Sequence, residues 1–381
     1  MENNKTPKIR FKGFTDAWEQ SELETLGTIV TGSTPSTQET SYYSDDGIPW
    51  VTPTDIDENI TFNVARHLSN KGQSVARVVP ENTILVTCIA SIGKNTMLGT
   101  KGSFNQQING LTPNEKFYNP YFLLTLSNKW SYKMKVSASA GTMQIVNKTE
   151  FSAIKTFVTN KPEQTKIGTF FKTLDNLITC HKRKCDKLVN VKKSMLEKMF
   201  PKNGEKIPEV RFKGFTEAWE QRKLGEVIDV NSGCDYKHLN IGDIPVYGTG
   251  GYMLSVDKAL SYKSDAIGIG RKGTIDNPYL LKSPFWTVDT LFYAIPKANY
   301  ELNFMFDIFQ KINWKQKDES TGVPSLSKVA INNIEIHTTD LLEQTQIGNF
   351  FKTLDNLITC HKRELEKLKN IKKSLLEKMF V

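Results

Sequence analysis

The residues able to do chemistry are few, and none of them completes a catalytic motif. Ile92-Gly93-Lys94-Asn95 is similar to the end of a phosphate-binding loop. However, Cys88 stands where that loop needs its first Gly, and Asn95 where it needs Ser or Thr. Gly248-Thr249-Gly250-Gly251 lacks the spacing and the strand–helix context of a dinucleotide-binding loop. Neither segment predicts a nucleotide site.

Two Asn-Pro-Tyr segments, at 119–121 and 277–279, partly match the Asn-Pro-Pro-Tyr element of adenine methyltransferases. Both lack the second Pro and any upstream cofactor loop, so we interpret them as turns at the start of a helix or strand. No Ser/His/Asp or Cys/His pairing stands out. The five histidines have no metal-ligand spacing; they are His67, His181, His238, His337 and His361. The sequence therefore predicts a chain with no catalytic centre, cofactor or metal of its own.

Composition excludes several classes of protein. With 38% hydrophobic and 10% aromatic residues among 381, the chain can bury real cores and is not wholly disordered. Its longest apolar runs, 83–90 and 304–309, are far shorter than the roughly 20 residues of a membrane span. The first residues contain no apolar segment typical of a secretory signal. The five scattered cysteines favour a reducing cytoplasm over a disulfide framework or a zinc site.

The chain repeats itself. Residues 163–200 and 343–380 are identical at 30 of 38 positions, and residues 9–20 and 210–221 at 10 of 12. We call the second pair the Trp motifs, because each contains the sequence Ala-Trp-Glu-Gln. A period this long indicates a tandem duplication of one unit: a Trp motif, a variable middle and a basic segment.

The basic segments are predicted to be long helices. Their apolar residues recur in steps of three and four, as in a coiled-coil seam; in the first copy these are Ile167, Phe170, Leu174, Leu177, Leu188, Val191 and Met195. We expect the two helices to pair antiparallel about a pseudo-twofold axis, each roughly 50 Å long at about 1.5 Å per residue. At the seam positions of His181 and His361, a structural, register-setting role is favoured over catalysis.

Positive charge is concentrated in these helices. Segment 163–200 has a net charge of +5 (nine basic, four acidic residues) and segment 343–380 of +3 (eight and five), together +8 of the chain's +9. The basic clusters include Lys182-Arg183 and Lys362-Arg363. They can face DNA phosphates or an acidic partner surface, or they can be the solvated flank of a coiled coil.

The two middles predict a mixed α+β fold. In each, short strands and Gly-rich turns precede one helix, at 120–133 and 300–313, and a closing strand, at 151–158 and 331–338. The predicted domains are 1–162 and 201–342, each with a Trp motif and a middle, separated by two helices, 163–200 and 343–381.

The scaffold is repeated, but polar turns at matching places differ. Asn and Gln bond adenine, Arg and Lys suit guanine, Asp accepts from cytosine, and Thr methyls meet thymine. Polar turns often only cap strands, so each loop alone is a weak signal. The candidate DNA-binding residues are Lys94, Asn95, Asn105, Gln106, Gln107, Thr142 and Gln144 in the first middle. Those in the second middle are Tyr247, Thr249, Arg271, Lys272, Thr274, Asp289, Thr290 and Ser325.

Two motifs, each present twice and in the same order, resemble those of one family. Arg-Phe-Lys-Gly-Phe-Thr-x-Ala-Trp-Glu-Gln and Glu-Gln-x-x-Ile-Gly-x-Phe-Phe-Lys-x-Leu-Asp are similar to sequences in the specificity (S) subunits of type I restriction-modification enzymes. The resemblance covers essentially the whole chain. It implies that each middle is a target recognition domain reading one half of an asymmetric, two-part site, and that the helices set the gap between the halves.

The resemblance also implies partners. The expected ones are double-stranded DNA, two modification (M) subunits and, in the full complex, restriction (R) subunits, with no membrane. S-adenosylmethionine, ATP and Mg are expected on those partner subunits and none on this chain. The candidate partner-binding residues are Phe170, Leu174, Lys182, Arg183, Phe350, Leu354, Lys362 and Arg363.

Two other classes remain open at this point. A self-sufficient methyltransferase or nuclease would need the cofactor motifs that are missing. A coiled-coil scaffold that binds only proteins would leave the polar divergence of the two middles unexplained.

Overall fold

The computed structural model describes residues 5–139, 145–202, 204–318 and 320–381. It divides into two compact units. Unit 1 contains Met1–His181 and Glu364–Val381, and unit 2 contains Lys182–Arg363. These units differ from the predicted linear domains, because each one includes a recognition domain and a part of both long helices.

Unit 1 is a mixed α+β domain, as predicted. In chain order its elements are β1 (Glu19–Glu22), α1 (Leu23–Leu26), β2 (Gly27–Thr31), a 3-10 turn (Thr40–Tyr42), β3 (Tyr43–Val51), β4 (Ile60–Thr61), β5 (His67–Leu68), α2 (Asn70–Val75), β6 (Val78–Val79), β7 (Ile84–Thr87), β8 (Asn95–Leu98), β9 (Gly102–Phe104), β10 (Ile108–Pro113), α3 (Pro120–Ser139), α4 (Lys148–Ser152) and β11 (Lys155–Val158). The long helix α5 (Lys161–Lys198) follows. The sheets have the orders β2-β10-β7-β8-β4, β5-β3-β9-β6 and β1-β11.

Unit 2 repeats this plan. Its elements are β12 (Glu220–Lys223), α6 (Leu224–Val227), β13 (Ile228–Ser232), β14 (Ile241–Gly248), β15 (Gly251–Val256), β16 (Ala266–Gly270), β17 (Tyr279–Leu281), β18 (Trp286–Thr287), β19 (Leu291–Pro296), α7 (Leu302–Lys311), a 3-10 turn (Trp314–Lys317), α8 (Lys328–Asn332), β20 (Glu335–Thr338) and the long helix α9 (Leu341–Lys378). The sheet order β13-β19-β16-β17 matches β2-β10-β7-β8. The predicted closing strands are half right, because their first residues form the short helices α4 and α8.

The repeated Glu-Gln-x-x-Ile-Gly motif joins each long helix to its recognition domain. Gln164 accepts a hydrogen bond from the Asn119 amide (2.9 Å) just before α3. A side chain at Gly168 would collide with Asn119, so Gly permits the close approach of the two helices. In unit 2, Gln344, Glu301 and Gly348 make the same arrangement before α7. The motif is repeated because both joints need the same geometry.

The Glu of the same motif forms a buried ion pair with the Trp motif. Arg10 donates two hydrogen bonds, of 2.6 and 2.8 Å, to the fully buried carboxylate of Glu163. Arg211 and Glu343 repeat this pair with the same two distances in unit 2. A planar guanidinium matches a carboxylate in this two-bonded geometry, which fixes direction as well as distance.

Each Trp motif packs against the end of a long helix. In unit 1 the Trp18 ring lies 5.9 Å from Phe380 and 5.7 Å from Phe122. In unit 2 the Trp219 ring lies 5.7 Å from Phe200 and 5.6 Å from Phe304. The aromatic motif is therefore a hydrophobic anchor.

Within each unit the helix segments run antiparallel. In unit 1, Phe171 contacts Phe380 and Asp175 pairs with Lys372 at 2.6 Å, so partner numbers fall as the helix advances. In unit 2, Asp355 pairs with Lys192, and Phe351 contacts Phe200. The contacts of one unit are thus repeated in the other.

The predicted seam is partly wrong. The predicted seam residues Phe170 and Leu177 are 37% and 46% exposed. Phe171, which follows Phe170, is instead fully buried against Phe380. In α9 the fully buried residue is likewise Phe351 rather than Phe350. A heptad pattern with a period of 3.5 residues allows either Phe170 or Phe171 to lie at the seam. Packing against Phe380 at the helix end places Phe171 there.

The polar contacts between the long helices and the recognition-domain helix, α3 or α7, differ between the two units. In unit 1 the Tyr121 hydroxyl donates to Asp175 (2.9 Å), which also pairs with Lys372. In unit 2 the buried carboxyl of Asp307 lies near Lys192 and Asp355, and its Oδ2 has no hydrogen-bond partner. Burial raises the pKa of the Asp307 carboxyl well above its usual range; Asp355 and Glu301 add to the rise and Lys192 opposes it.

Because the folded-state pKa is raised, Asp307 should make unit 2 less stable as pH increases. The contribution of the protonated Asp307 carboxyl to the free energy of unfolding is complete below the pKa of about 3.9 that Asp has in the unfolded chain. It is lost as pH rises through the higher pKa of the folded state. We expect Asp307→Asn to raise the thermal midpoint by a few degrees at pH 8 and by less at pH 5. Asp229→Asn, at a mostly exposed carboxylate of unit 2, is the control. An equal shift at both pH values would contradict this assignment.

Candidate nucleic-acid interface

Backbone hydrogen bonds bring the predicted loops of unit 2 together. The Val288 amide donates to the Tyr247 carbonyl (3.0 Å), and the Arg271 amide to the Thr290 carbonyl (2.8 Å). The Gly273 amide donates to the Pro324 carbonyl (2.8 Å). The loops around 247–249, 271–274, 288–290 and 323–325 therefore form one connected surface.

Unit 1 has the same framework. The Asn105 amide donates to the Val51 carbonyl (3.0 Å), and the Cys88 amide to the Gln107 carbonyl (2.8 Å). The Val146 amide donates to the Cys88 carbonyl (2.9 Å), as Leu326 does to Arg271 in unit 2. These bonds make Val51, Cys88, Asn105 and Gln107 the counterparts of Tyr247, Arg271, Val288 and Thr290.

The side chains on this shared framework differ in chemistry. Unit 1 has the buried Cys88 where unit 2 has the exposed Arg271, and the half-buried Gln107 where unit 2 has the half-buried Thr290; Asn105 and its counterpart Val288 are both buried. The backbone geometry is preserved where the side chains are not. The accessible side chains of the two surfaces therefore differ in their donors and acceptors.

In unit 2 the cationic side chains are accessible. Arg271 is exposed; its guanidinium donates to the Asp289 carbonyl (3.4 Å) and lies 5.7 Å from the centre of the Phe292 ring. Lys272, Thr274 and Asp289 are exposed as well. A guanidinium held on an aromatic ring loses less freedom when it binds a ligand.

The remaining candidates of unit 2 are more enclosed. Tyr247, Thr249, Thr290 and Ser325 are half-buried. The Ser325 amide donates to the Asp318 carboxylate (2.9 Å), and such bonds from Ser325 and Ser320 hold the pKa of Asp318 below its usual value. This carboxylate therefore orders the last loop.

In unit 1 the candidates form two groups. Lys94 is exposed, and its ammonium group donates to the Pro53 carbonyl (3.1 Å), which joins the loops 88–94 and 52–55. Gln106 is exposed and contacts the Thr34 hydroxyl. Asn105 is nearly buried and donates to the half-buried Gln107 (3.0 Å). The amide surface here is ordered by its own hydrogen bonds.

Asn95 has a structural role that differs from the predicted one. Its side-chain amide donates to Ser127 (2.6 Å) and Ser131 (3.4 Å) of α3, so it holds β8 to that helix. The predicted residues Thr142 and Gln144 lie outside the described residues.

The predicted partner-binding residues separate into core and surface positions. Leu174 and Leu354 are buried in the cores of units 1 and 2, so they serve the fold. Phe170 is partly exposed beside Phe11 (6.0 Å between ring centres), and Phe350 is half-buried beside Phe212 (6.2 Å). Lys182, Arg183, Lys362 and Arg363 have exposed side chains.

Sequence reasoning missed residues that shape the loops. Asp55 accepts hydrogen bonds from the Thr52 amide (2.8 Å) and the Ala65 amide (3.0 Å), and so closes the loop after β3. The Tyr279 hydroxyl donates to the Gly248 carbonyl (2.6 Å). The Pro-Thr-Asp turn was a signal for the first residue. The Asn-Pro-Tyr segment at 277–279 marked the position of the second without indicating its contact.

Within the residues that the structure describes, no three His, Cys, Asp or Glu side chains are grouped as a metal site. None of the helices in this part of the chain is long and apolar enough to cross a lipid bilayer. The Asn-Pro-Tyr segments are turns, as predicted: Asn119 caps α3 (2.9 Å to the Phe122 amide), and Asn277 precedes β17.

Comparison with known proteins identifies the family. The model for the type I restriction modification DNA specificity domain matches residues 15–190 and 216–370, which is most of the chain. The chain belongs to this family. The sequence-based identification as a type I specificity subunit is thereby confirmed.

Individual specificity subunits show more distant similarity. The MjaIX specificity subunit of Methanocaldococcus jannaschii is 25% identical over 57% of this chain, and the chain spans about half of its length (53%). The MjaVIII specificity subunit of the same organism is 24% identical over 78% of both chains. The crystal structure of a type I S subunit from M. genitalium, at 17% identity, covers 99% of both chains with a TM-score of 0.73 and so has the same fold.

The free energy of unfolding can distinguish a polar residue of unit 1 that supports the fold, Asn95, from an exposed candidate for DNA contact, Gln106. Asn95→Ala leaves Ser127 and Ser131 without their donor, and we expect it to lower the free energy of unfolding by about 1–2 kcal/mol. Gln106→Ala, at an exposed position, should change it by less than about 0.5 kcal/mol. Urea denaturation followed by tryptophan fluorescence measures both. A larger loss for Gln106→Ala would show that these roles are reversed.

Proposed function

We propose that this specificity subunit reads a two-part, asymmetric DNA site, one part with each unit. The observation that carries the proposal is the shared loop framework with unlike side chains: unit 2 has the exposed Arg271 where unit 1 has only the buried Cys88, and Thr290 where unit 1 has Gln107. Base edges in the major groove are distinguished by donors, acceptors and methyl groups. Two readers with different hydrogen-bonding groups suit two different half-sites.

The long helices are proposed to set the gap between the half-sites. Each contains 38 residues, about 57 Å at about 1.5 Å per residue. Half-sites read from one side of a duplex lie about 34 Å, or one helical turn, apart. An interrupted site needs a stiff spacer, because a flexible linker would tolerate many gaps.

The same helices are proposed to dock two M subunits. Leu177 and Leu357 occupy equivalent places in the repeat and are 46% and 44% exposed. Residues 170–183 and 350–363 are identical in sequence, including the exposed lysines 182 and 362. Two identical surfaces suit two copies of one partner. Apolar side chains that remain exposed in the chain alone would be covered by it.

Methylation of adenine and cleavage of DNA, the reactions that the family resemblance implies, are proposed to occur on the partner subunits. This chain would supply no catalytic residue, and S-adenosylmethionine, ATP and Mg would bind to the M and R subunits. The recognition domains carry almost no net charge, since the helix segments hold +8 of the chain's +9. We therefore expect partner subunits to provide much of the attraction to phosphates.

Exchange of one recognition domain tests the proposal. If residues 222–340 are replaced by the corresponding domain of another S subunit, one half of the methylated sequence should change, while the other half stays the same. The matched control replaces residues 21–160 and should alter the opposite half. Methylation mapping of DNA modified by each chimera with its M subunits measures this. A change in both halves from one exchange would contradict separate reading.

A further inference from the structure

The β14–β15 hairpin of unit 2 is held along β14 and open at its turn. Val246 and Val256 pack with Trp286 and Val288 in a buried cluster, and Val246 and Tyr247, next to the turn, pair with β18. Beyond them the register ends with Tyr247 opposite Tyr252 and the closing glycines 248 and 251. Only Thr249 and Gly250 lie between those glycines.

The tip extends away from the rest of the unit. A Cβ atom added at Gly250 or Gly251 would meet nothing within 4 Å. Gly251 has a φ of +104°, a conformation that suits Gly in a tight turn. Just behind it, Tyr252 and Met253 are 63% and 49% exposed. The register shifts at a β-bulge that leaves Met253 as the extra residue of β15, and its sulfur lies beside Gly248.

A ladder of tyrosines stiffens the tip. The Tyr279 and Tyr247 rings lie 6.1 Å apart, and the Tyr247 and Tyr252 rings 6.4 Å apart. The Tyr279 hydroxyl donates to the Gly248 carbonyl, and burial raises the Tyr279 pKa, so the hydroxyl keeps its proton. The exposed ring of Tyr252 is therefore held on a rigid support.

The corresponding strand of unit 1, β3, is connected differently. It pairs with the two-residue strand β5, through Ile48 opposite Leu68 and Pro49 opposite His67. The intervening residues 52–66 form a long connection that includes β4 and that Asp55 closes. In the described part of unit 1, β3 therefore has no tight-turn partner like β15.

The charge and the size of the hairpin tip favour DNA as its binding partner. Residues 244–256 contain no charged side chain, and the nearest acids along the chain, Asp243 and Asp257, lie at the base end. The hairpin joins the candidate interface through the Val288–Tyr247 hydrogen bond, and Arg271 and Lys272 lie on the next loop. The major groove is about 8.5 Å deep and admits a two-stranded ribbon, so it can receive the turn 248–251 and the exposed β15 residues Tyr252 and Met253.

We propose that the tip of the β14–β15 hairpin enters the major groove of the half-site read by unit 2, with Tyr252 and Met253 against base edges. This proposal rests on the proposed function and deepens it, because it assigns one reader a groove and a mode of entry. Arg271 and Lys272 then lie beside the ribbon, where they can reach phosphates or guanine. Met253 offers an apolar contact for a thymine methyl group.

Exposed residues at the two ends of the hairpin provide a matched test. The variant Tyr252→Ala/Met253→Ala alters the tip, and Ile241→Ser alters a residue at the base end that is 96% exposed. Each chain is assembled with its M subunits and assayed for binding to the methylated site sequence and to unrelated DNA, followed by methylation mapping. We expect the tip variant to bind the site at least tenfold more weakly, unrelated DNA within about twofold, and to relax one half-site only.

The controls distinguish misfolding of a variant, failure of the hairpin proposal and failure of the proposed function. Ile241→Ser should match the wild type, and Tyr252→Phe tests the hydroxyl while keeping the ring. Thermal midpoints within about 2 °C of wild type show that both surface variants fold. Unchanged site affinity in the tip variant overturns the hairpin's role, as does loss of M-subunit assembly, which would make the tip a protein-docking surface. A wild-type assembly that methylates no specific site would overturn the proposed function itself.

Discussion

The packing of a terminal Phe against a Trp motif is the interaction on which both units depend. Phe380 completes the core of unit 1 beside Trp18 and Phe122, and Phe200 completes that of unit 2 beside Trp219 and Phe304. Each ring comes from the far end of a long helix. Neither recognition domain can therefore close its core without that helix end, and the length and register of the helices become part of the fold.

This constraint explains which residues the duplication keeps and which it changes. The Arg10–Glu163 and Arg211–Glu343 pairs are buried, so loss of one partner would leave an uncompensated charge, typically at a cost of about 3–5 kcal/mol. At equivalent places the loops of each unit are joined by backbone hydrogen bonds, which do not depend on the identity of the side chains. Their side chains can change without disturbing the scaffold, which is what a pair of independent readers requires.

Much of the fold was predictable from the sequence, because the repeat, the helix periodicity and the Trp motifs each reflect packing within one unit. The choice between Phe170 and Phe171 was not, since it depends on the ring of Phe380, which is distant in sequence. The candidate loops were predicted from divergence between the copies. The role of Asn95 and the support of the hairpin by Tyr279 depend on contacts between separate segments, which leave no local pattern.

The central claim is that one chain presents two unlike readers to a single duplex. Single-molecule methylation mapping of DNA from a host carrying this chain and its M subunits tests it most directly. The account predicts a motif of two different parts, separated by a fixed number of unspecified bases, with a methylated adenine in each part. A continuous motif, or two parts with the same sequence, would contradict it.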